Sequence, residues 1–123
     1  MLTTEDNERL TRIGPGTPMG DLLRRYWQPI APSNEFTDEY RIKPIRLLGE
    51  DLVLYRDLAG TWGLIERWCA HRGTDLSMGR VEDCGIRCMR HGWIYMENGQ
   101  CLDMPLEEEP FAAVLDRGKP LGI

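Results

Sequence analysis

Cys69-Ala70-His71-Arg72-Gly73 and Cys88-Met89-Arg90-His91-Gly92 are the two stretches on which the reading of this chain turns. Each sets one thiol two or three residues from one imidazole, and together they use both histidines of the 123-residue sequence. A thiolate and an imidazole this close along the chain reach one metal centre from a single loop, and glycines beside them let backbone N–H groups approach an anionic sulfur. Two histidines placed at random would rarely each fall so near a cysteine, so the pattern reads as a metal site.

Around these loops the pattern is that of strands. Trp27–Ala31, Ile42–Leu48, Leu52–Arg56 and Trp62–Glu66 read as strands before the first loop, with Gly49-Glu50-Asp51 and residues 57–61 as hairpin connections. Residues 67–90 form a glycine-bearing, loop-rich stretch. Trp93–Met96 is a further strand, closed by Asn98-Gly99, a strong hairpin signal. Upstream, Thr4 is the expected cap of a first helix that Gly14 would end. Thr17 caps a second with Pro18 at its first position, and Met19, Leu22, Leu23 and Tyr26 make a stripe expected to pack on a neighbouring sheet. The fold class is therefore mainly β, a small antiparallel domain with two long loops and a short helical lead-in that ends by about residue 36.

Composition sets the outer bounds. The length suits one domain, and 41% hydrophobic with 28% charged residues is ordinary for a globular chain. Net charge is −5, which argues against nucleic acid and against an anionic membrane surface. An acidic N-terminus is unlike a secretory signal, and no apolar run has the length of a membrane helix, so the expected location is the cytoplasm. In a reducing compartment cysteines serve as metal ligands or thiols more often than as disulfides.

Two metals remain open for Cys69, His71, Cys88 and His91. One zinc ion accepts two cysteines and two histidines, but zinc fingers pair like with like. One cysteine and one histidine from each loop is the ligand split of a Rieske 2Fe-2S centre, in which one iron takes both thiolates and the other both imidazoles.

Further stretches carry a resemblance: Gly14-Pro15-Gly16-Thr17-Pro18-Met19-Gly20 with Leu23-Arg24-Arg25-Tyr26-Trp27, then Cys69 to Ser77, Gly79-Arg80-Val81-Glu82-Asp83, and Cys88 to Trp93. From Met1 to about Pro105 the chain resembles the N-terminal part of the α subunit of Rieske non-haem iron oxygenases of the phthalate-dioxygenase-like group. The resemblance implies a lead-in over 1–36 and a Rieske 2Fe-2S domain over 37–123, with cluster loops at about 66–95. It also implies that Cys69, His71, Cys88 and His91 hold the cluster. The implied task is to accept electrons from a reductase or ferredoxin and deliver them to a catalytic oxygenase domain or subunit with a mononuclear Fe(II), and it admits a homo-oligomer. Both histidines are spent on the cluster, so this chain by itself is not expected to hydroxylate a substrate. A free-standing Rieske ferredoxin and a zinc-stabilised structural module are the alternative readings.

Where the chain departs from the family, Arg90 stands beside a ligand in place of an aromatic residue, and Cys84 and Cys101 read as structural or free thiols. After Pro105 the family continues with strands that complete the sheet. Here residues 107–116 read as an acidic, solvated turn, so a C-terminally incomplete domain with an unpaired sheet edge is expected. Trp62, Trp68 and Trp93 read as core or cluster-shielding residues. The region from Glu66 to Gly92 is slightly basic, with five arginines against four acids, and is expected to dock an acidic redox partner.

Overall fold

A threonine opens each helix by the same device. Thr3 Oγ1 accepts the Asp6 N–H at 3.1 Å and starts α1 (Thr4–Thr11), and Thr17 Oγ1 accepts the Gly20 N–H at 3.1 Å and starts α2 (Pro18–Leu23). The first cap is thus Thr3, not the expected Thr4, because Thr3 is the threonine placed three residues before a free amide, and α1 stops at Thr11, short of Gly14. The computed structural model describes residues 1–106, so the acidic turn expected at 107–116 lies outside the described residues.

The stripe expected on α2 does not pack on a sheet. Leu22 and Tyr26 are exposed, Tyr26 lies beyond the helix, and Gly20 is the one buried residue of α2. Polar contacts tie the end of α2 to the body. The Arg24 guanidinium donates to the Ile13 carbonyl at 3.1 Å and the Leu48 carbonyl at 3.2 Å, and pairs with Glu50 at 2.7 Å. Trp27–Ala31 is not a strand either. Pro29 and Pro32 remove amide donors that a sheet ladder needs. The segment instead lays Ile30 and Ala31 against the sheet described next.

That sheet is antiparallel, with β1 (Ile42–Leu47), β2 (Glu50–Arg56) and β3 (Trp62–Glu66) in sequence order. Its first turn is Leu48-Gly49, with φ of 48° and 78°, which joins Leu47 to its partner Glu50. Both central residues at positive φ fit a two-residue turn whose twist matches the strands. The expected connection at 49–51 was displaced by one residue because a leucine carries the left-handed backbone, and Glu50 and Asp51 belong to β2. Along β2, Leu52 and Leu54 face one cluster with Phe36 and Leu64, while Val53 and Tyr55 face the other with Ile65. The sheet is therefore buried on both faces.

A second antiparallel sheet follows: β4 (Arg80–Val81), β5 (Ile86–Arg87), β6 (Ile94–Tyr95) and β7 (Cys101–Asp103). Asn98-Gly99 turns the last pair as expected, with the Met96 N–H donating to the Gln100 carbonyl and the Gly99 N–H to the Met96 carbonyl, both at 2.9 Å. Val53, Tyr55 and Ile65 of the first sheet share one core with Ile86, Trp93 and Tyr95 of the second. Asp57, 2% exposed, clasps the two: its carboxylate accepts the Thr61 N–H at 2.8 Å and the Gly85 N–H at 3.4 Å, and the adjoining Leu58 N–H donates to the Glu82 carbonyl at 3.0 Å. Among the described residues no helix is long and apolar enough to cross a membrane.

Candidate metal centre

The two loops are built alike. In the first, the Cys69 N–H donates to the Thr74 carbonyl at 2.8 Å and the Gly73 N–H donates back to the Cys69 carbonyl at 2.7 Å. In the second, the Cys88 N–H donates to the Trp93 carbonyl at 2.8 Å and the Gly92 N–H to the Cys88 carbonyl at 3.1 Å. Each is a one-turn knuckle that begins at a cysteine and closes four residues on at a glycine with positive φ, 72° at Gly73 and 80° at Gly92. That backbone conformation is cheap only for glycine. The shared Cys-x-x-x-Gly spacing was a sequence signal in plain view, and it accounts for both glycines. The loops differ in one respect: the histidine is the second residue after the cysteine in the first and the third in the second.

All four sequence-predicted residues come together, and they sort by type. The His71 and His91 rings meet edge to face at 4.6 Å between centroids. Cys69 and Cys88 are both buried and adjoin, Cys88 acting on the Cys69 thiol by charge and by a side-chain hydrogen bond. Burial pushes the Cys69 thiol up, the Tyr95 hydroxyl and the His71 amide pull it back, and Cys88 raises it. Two thiols in one place and two imidazoles in another are the donor division of a two-iron centre, one pair to each iron. A single ion needs its donors at one point, and among the described residues no group of three or more His, Cys, Asp or Glu is so placed. The donor set thus fits a 2Fe-2S cluster better than one zinc.

Sequence reading missed part of what frames these donors. Tyr95, from β6, puts its hydroxyl 3.2 Å from Cys69 Sγ, where it also accepts the Ala70 N–H at 3.0 Å. Burial and the Cys69 contact hold its phenol above the ordinary tyrosine range. Its signal was the period of two: Trp93 and Tyr95 are alternate positions of the strand expected over Trp93–Met96, and both join the core that holds Cys69 and Cys88. Trp93, 1% exposed, stacks on His71 with centroids 4.4 Å apart and planes 15° from parallel, so the shielding expected of it is seen. Trp68 and Trp62 do not share that role. Trp68 is 43% exposed with Arg67 over its ring at 5.0 Å, and Trp62 sits at the rim against Phe36. Cys84 and Cys101 are free thiols, exposed and half-buried.

Each loop is braced by an arginine. Arg67 meets Asp75 in a two-point pair at 3.0 and 2.7 Å across the base of the first loop. Arg87 pairs with Glu82 at 2.6 Å and donates to the Gly92 carbonyl at 2.8 Å in the second. Arg80 also reaches Glu82, at 2.9 Å. Three of the five arginines expected to attract a partner thus sit in ion pairs, Arg67 with Asp75 one to one and Arg80 and Arg87 sharing the one carboxylate of Glu82, while Arg72 and Arg90 are exposed and make no ion pair among the described residues.

Against known families, residues 26–115 match the Rieske 2Fe-2S domain. The chain belongs to this family. The Rieske match is joined by curated relatives. Over 108 residues the chain is 52% identical to the 5,5'-dehydrodivanillate O-demethylase oxygenase subunit of a Sphingobium species, covering 88% of this chain and 25% of that protein. It is 39% identical to the phthalate 4,5-dioxygenase oxygenase subunit of Pseudomonas putida, covering 87% and 25%. The structure of Pseudomonas putida CBB5 NdmA with caffeine superimposes with a TM-score of 0.67 at 28% identity, over 81% of this chain and 29% of that one. This Rieske chain therefore spans about a quarter of the length of the curated relatives it matches.

Proposed function

We propose that Cys69, His71, Cys88 and His91 ligate a Rieske-type 2Fe-2S cluster and that the chain is the electron-transfer portion of an oxygenase acting on aromatic compounds. In this reading a reductase or ferredoxin supplies the electrons, and a catalytic domain or subunit outside the sequence holds the mononuclear iron that receives them. The carrying observation is the sorting of the four donors into a thiol pair and an imidazole pair at the ends of two matched knuckles. Relatives named as oxygenase subunits, each matched over about a quarter of its length, support the larger role.

When bound, the cluster accepts and returns one electron at a time, at a potential raised by its histidine ligands. The chain's own residues supply the setting. Trp93 covers one face of His71 and keeps water from it. The Tyr95 hydroxyl is within reach of the Cys69 sulfur, where a donated hydrogen bond stabilises added negative charge. The knuckle glycines hold the donors at the loop tips. Residues 1–36 form a lead-in to this domain, and the cytoplasm is the proposed location.

The test is direct. Purified aerobically, the chain should be brown, carry about two irons and two sulfides, and on reduction give the EPR signal of a Rieske centre. Cys69→Ala and His71→Ala should each lose the signal, whereas Cys84→Ala should keep it. A colourless protein with one zinc overturns the reading.

A further inference from the structure

Beside the paired donors a groove of about 330 Å³ opens over Cys88, lined chiefly by Met78, Arg80, Arg87, Met89 and Gly92, and neither histidine contributes to it. Met78 and Met89 stand 65% and 64% exposed. Two apolar thioethers left in water beside arginines are the composition that protein interfaces favour, and methionine adapts its shape to a partner. The charge here is opposite to that of the whole molecule. Arg80 and Arg87 share the single carboxylate of Glu82, at 2.9 and 2.6 Å, and exposed Arg90 follows Met89, while the chain carries a net −5. Glu82 and the Gly92 carbonyl hold Arg87 in place, so the positive edge is built in advance.

We propose that this groove is the docking site of an acidic one-electron donor protein, with the electron entering at the Cys88 end and the imidazole end left to the acceptor. The inference rests on the ligand assignment above. The docked donor loses one electron and the cluster held by Cys88 gains it, and no atom changes hands. An acidic donor is repelled by the chain's average surface and drawn to this patch, which gives the encounter a preferred orientation.

The experiment uses the cluster-loaded chain with a reduced plant-type 2Fe-2S ferredoxin, an acidic protein, as the probe, and dithionite as a small reductant that needs no docking. Bleaching of the visible absorbance is followed by stopped flow. Wild-type reduction by the ferredoxin should slow as salt rises, and Met78→Glu/Met89→Glu should slow it about tenfold at low salt, with the dithionite rate unchanged. Arg80→Glu, a change at a solvent-facing side chain, should act in the same direction. Ferredoxin rates that are equal in wild type and variants, or a wild type that the ferredoxin does not reduce, overturn the proposal. Loss of the ligand reading shows itself separately, as a chain without the Rieske spectrum before any donor is added.

Discussion

Asp75 shows how a single side chain can hold a loop. The guanidinium of Arg67 and the hydroxyl and amide of Ser77 hold its carboxyl down from the usual 3.8 to about 2. A carboxyl whose folded-state pKa is depressed stabilises the fold fully above its unfolded pKa, and that stability fades as pH falls from about 4 towards 2. Asp75→Asn should therefore flatten the acid limb of stability, read as the urea midpoint against pH. A variant as acid-sensitive as wild type would show the pair to be idle. At Tyr95 the question is electronic. Removing its hydroxyl with Tyr95→Phe removes a contact to Cys69 Sγ worth about 1 kcal/mol, which in a one-electron couple is roughly 40 mV, and the potential should fall by that order. Protein-film voltammetry reads it directly, and an unmoved or raised potential counts against the hydroxyl as a donor to sulfur. At this scale the sequence singled out Cys69, His71, Cys88 and His91, the four residues proposed as ligands, because only two histidines exist and each lies near a cysteine. It was silent about Tyr95 and over-generous to Trp62 and Trp68, since a tryptophan's burial is decided by what the rest of the chain brings to it.

Among elements, legibility followed length and turn chemistry. The start of β3 was readable because Asp57 and Gly60 mark a turn just before Trp62, and the Asn98-Gly99 hairpin declared itself. β4 and β5, two residues each, are too short to show a period, so they were absorbed into a loop. Proline-bearing Trp27–Ala31 failed for lack of donors. The turn between β4 and β5 exposes what such small elements depend on. Gly85 has φ of 93°, and an added Cβ would lie 2.2 Å from the Tyr95 carbonyl oxygen, far inside van der Waals contact. Gly85→Ala should therefore destabilise by about 2 kcal/mol or more, from backbone strain and the clash together. Thermal or urea melts measure it, and a loss below about 0.5 kcal/mol would mean that the turn adapts.

On the scale of the whole molecule, the first sheet is a double-faced slab and the second carries the knuckles, joined through one core and through Asp57. A net −5 spread over the chain coexists with a positive edge at the groove, a contrast that no composition figure reveals. The mainly antiparallel β fold was legible because short apolar runs are separated by turn residues; the clasp was not, because it pairs Asp57 with an amide 28 residues away. One further consequence follows from the knuckles. Their closing bonds run from main chain to main chain, so the shape of each loop is indifferent to which donor stands at its tip. Two imidazoles exchanged for thiolates would leave the receptacle standing while adding negative charge, which carries the centre towards the far lower potentials of all-cysteine ferredoxins. One backbone can thus be furnished for very different voltages, and the adaptation would need only two codons.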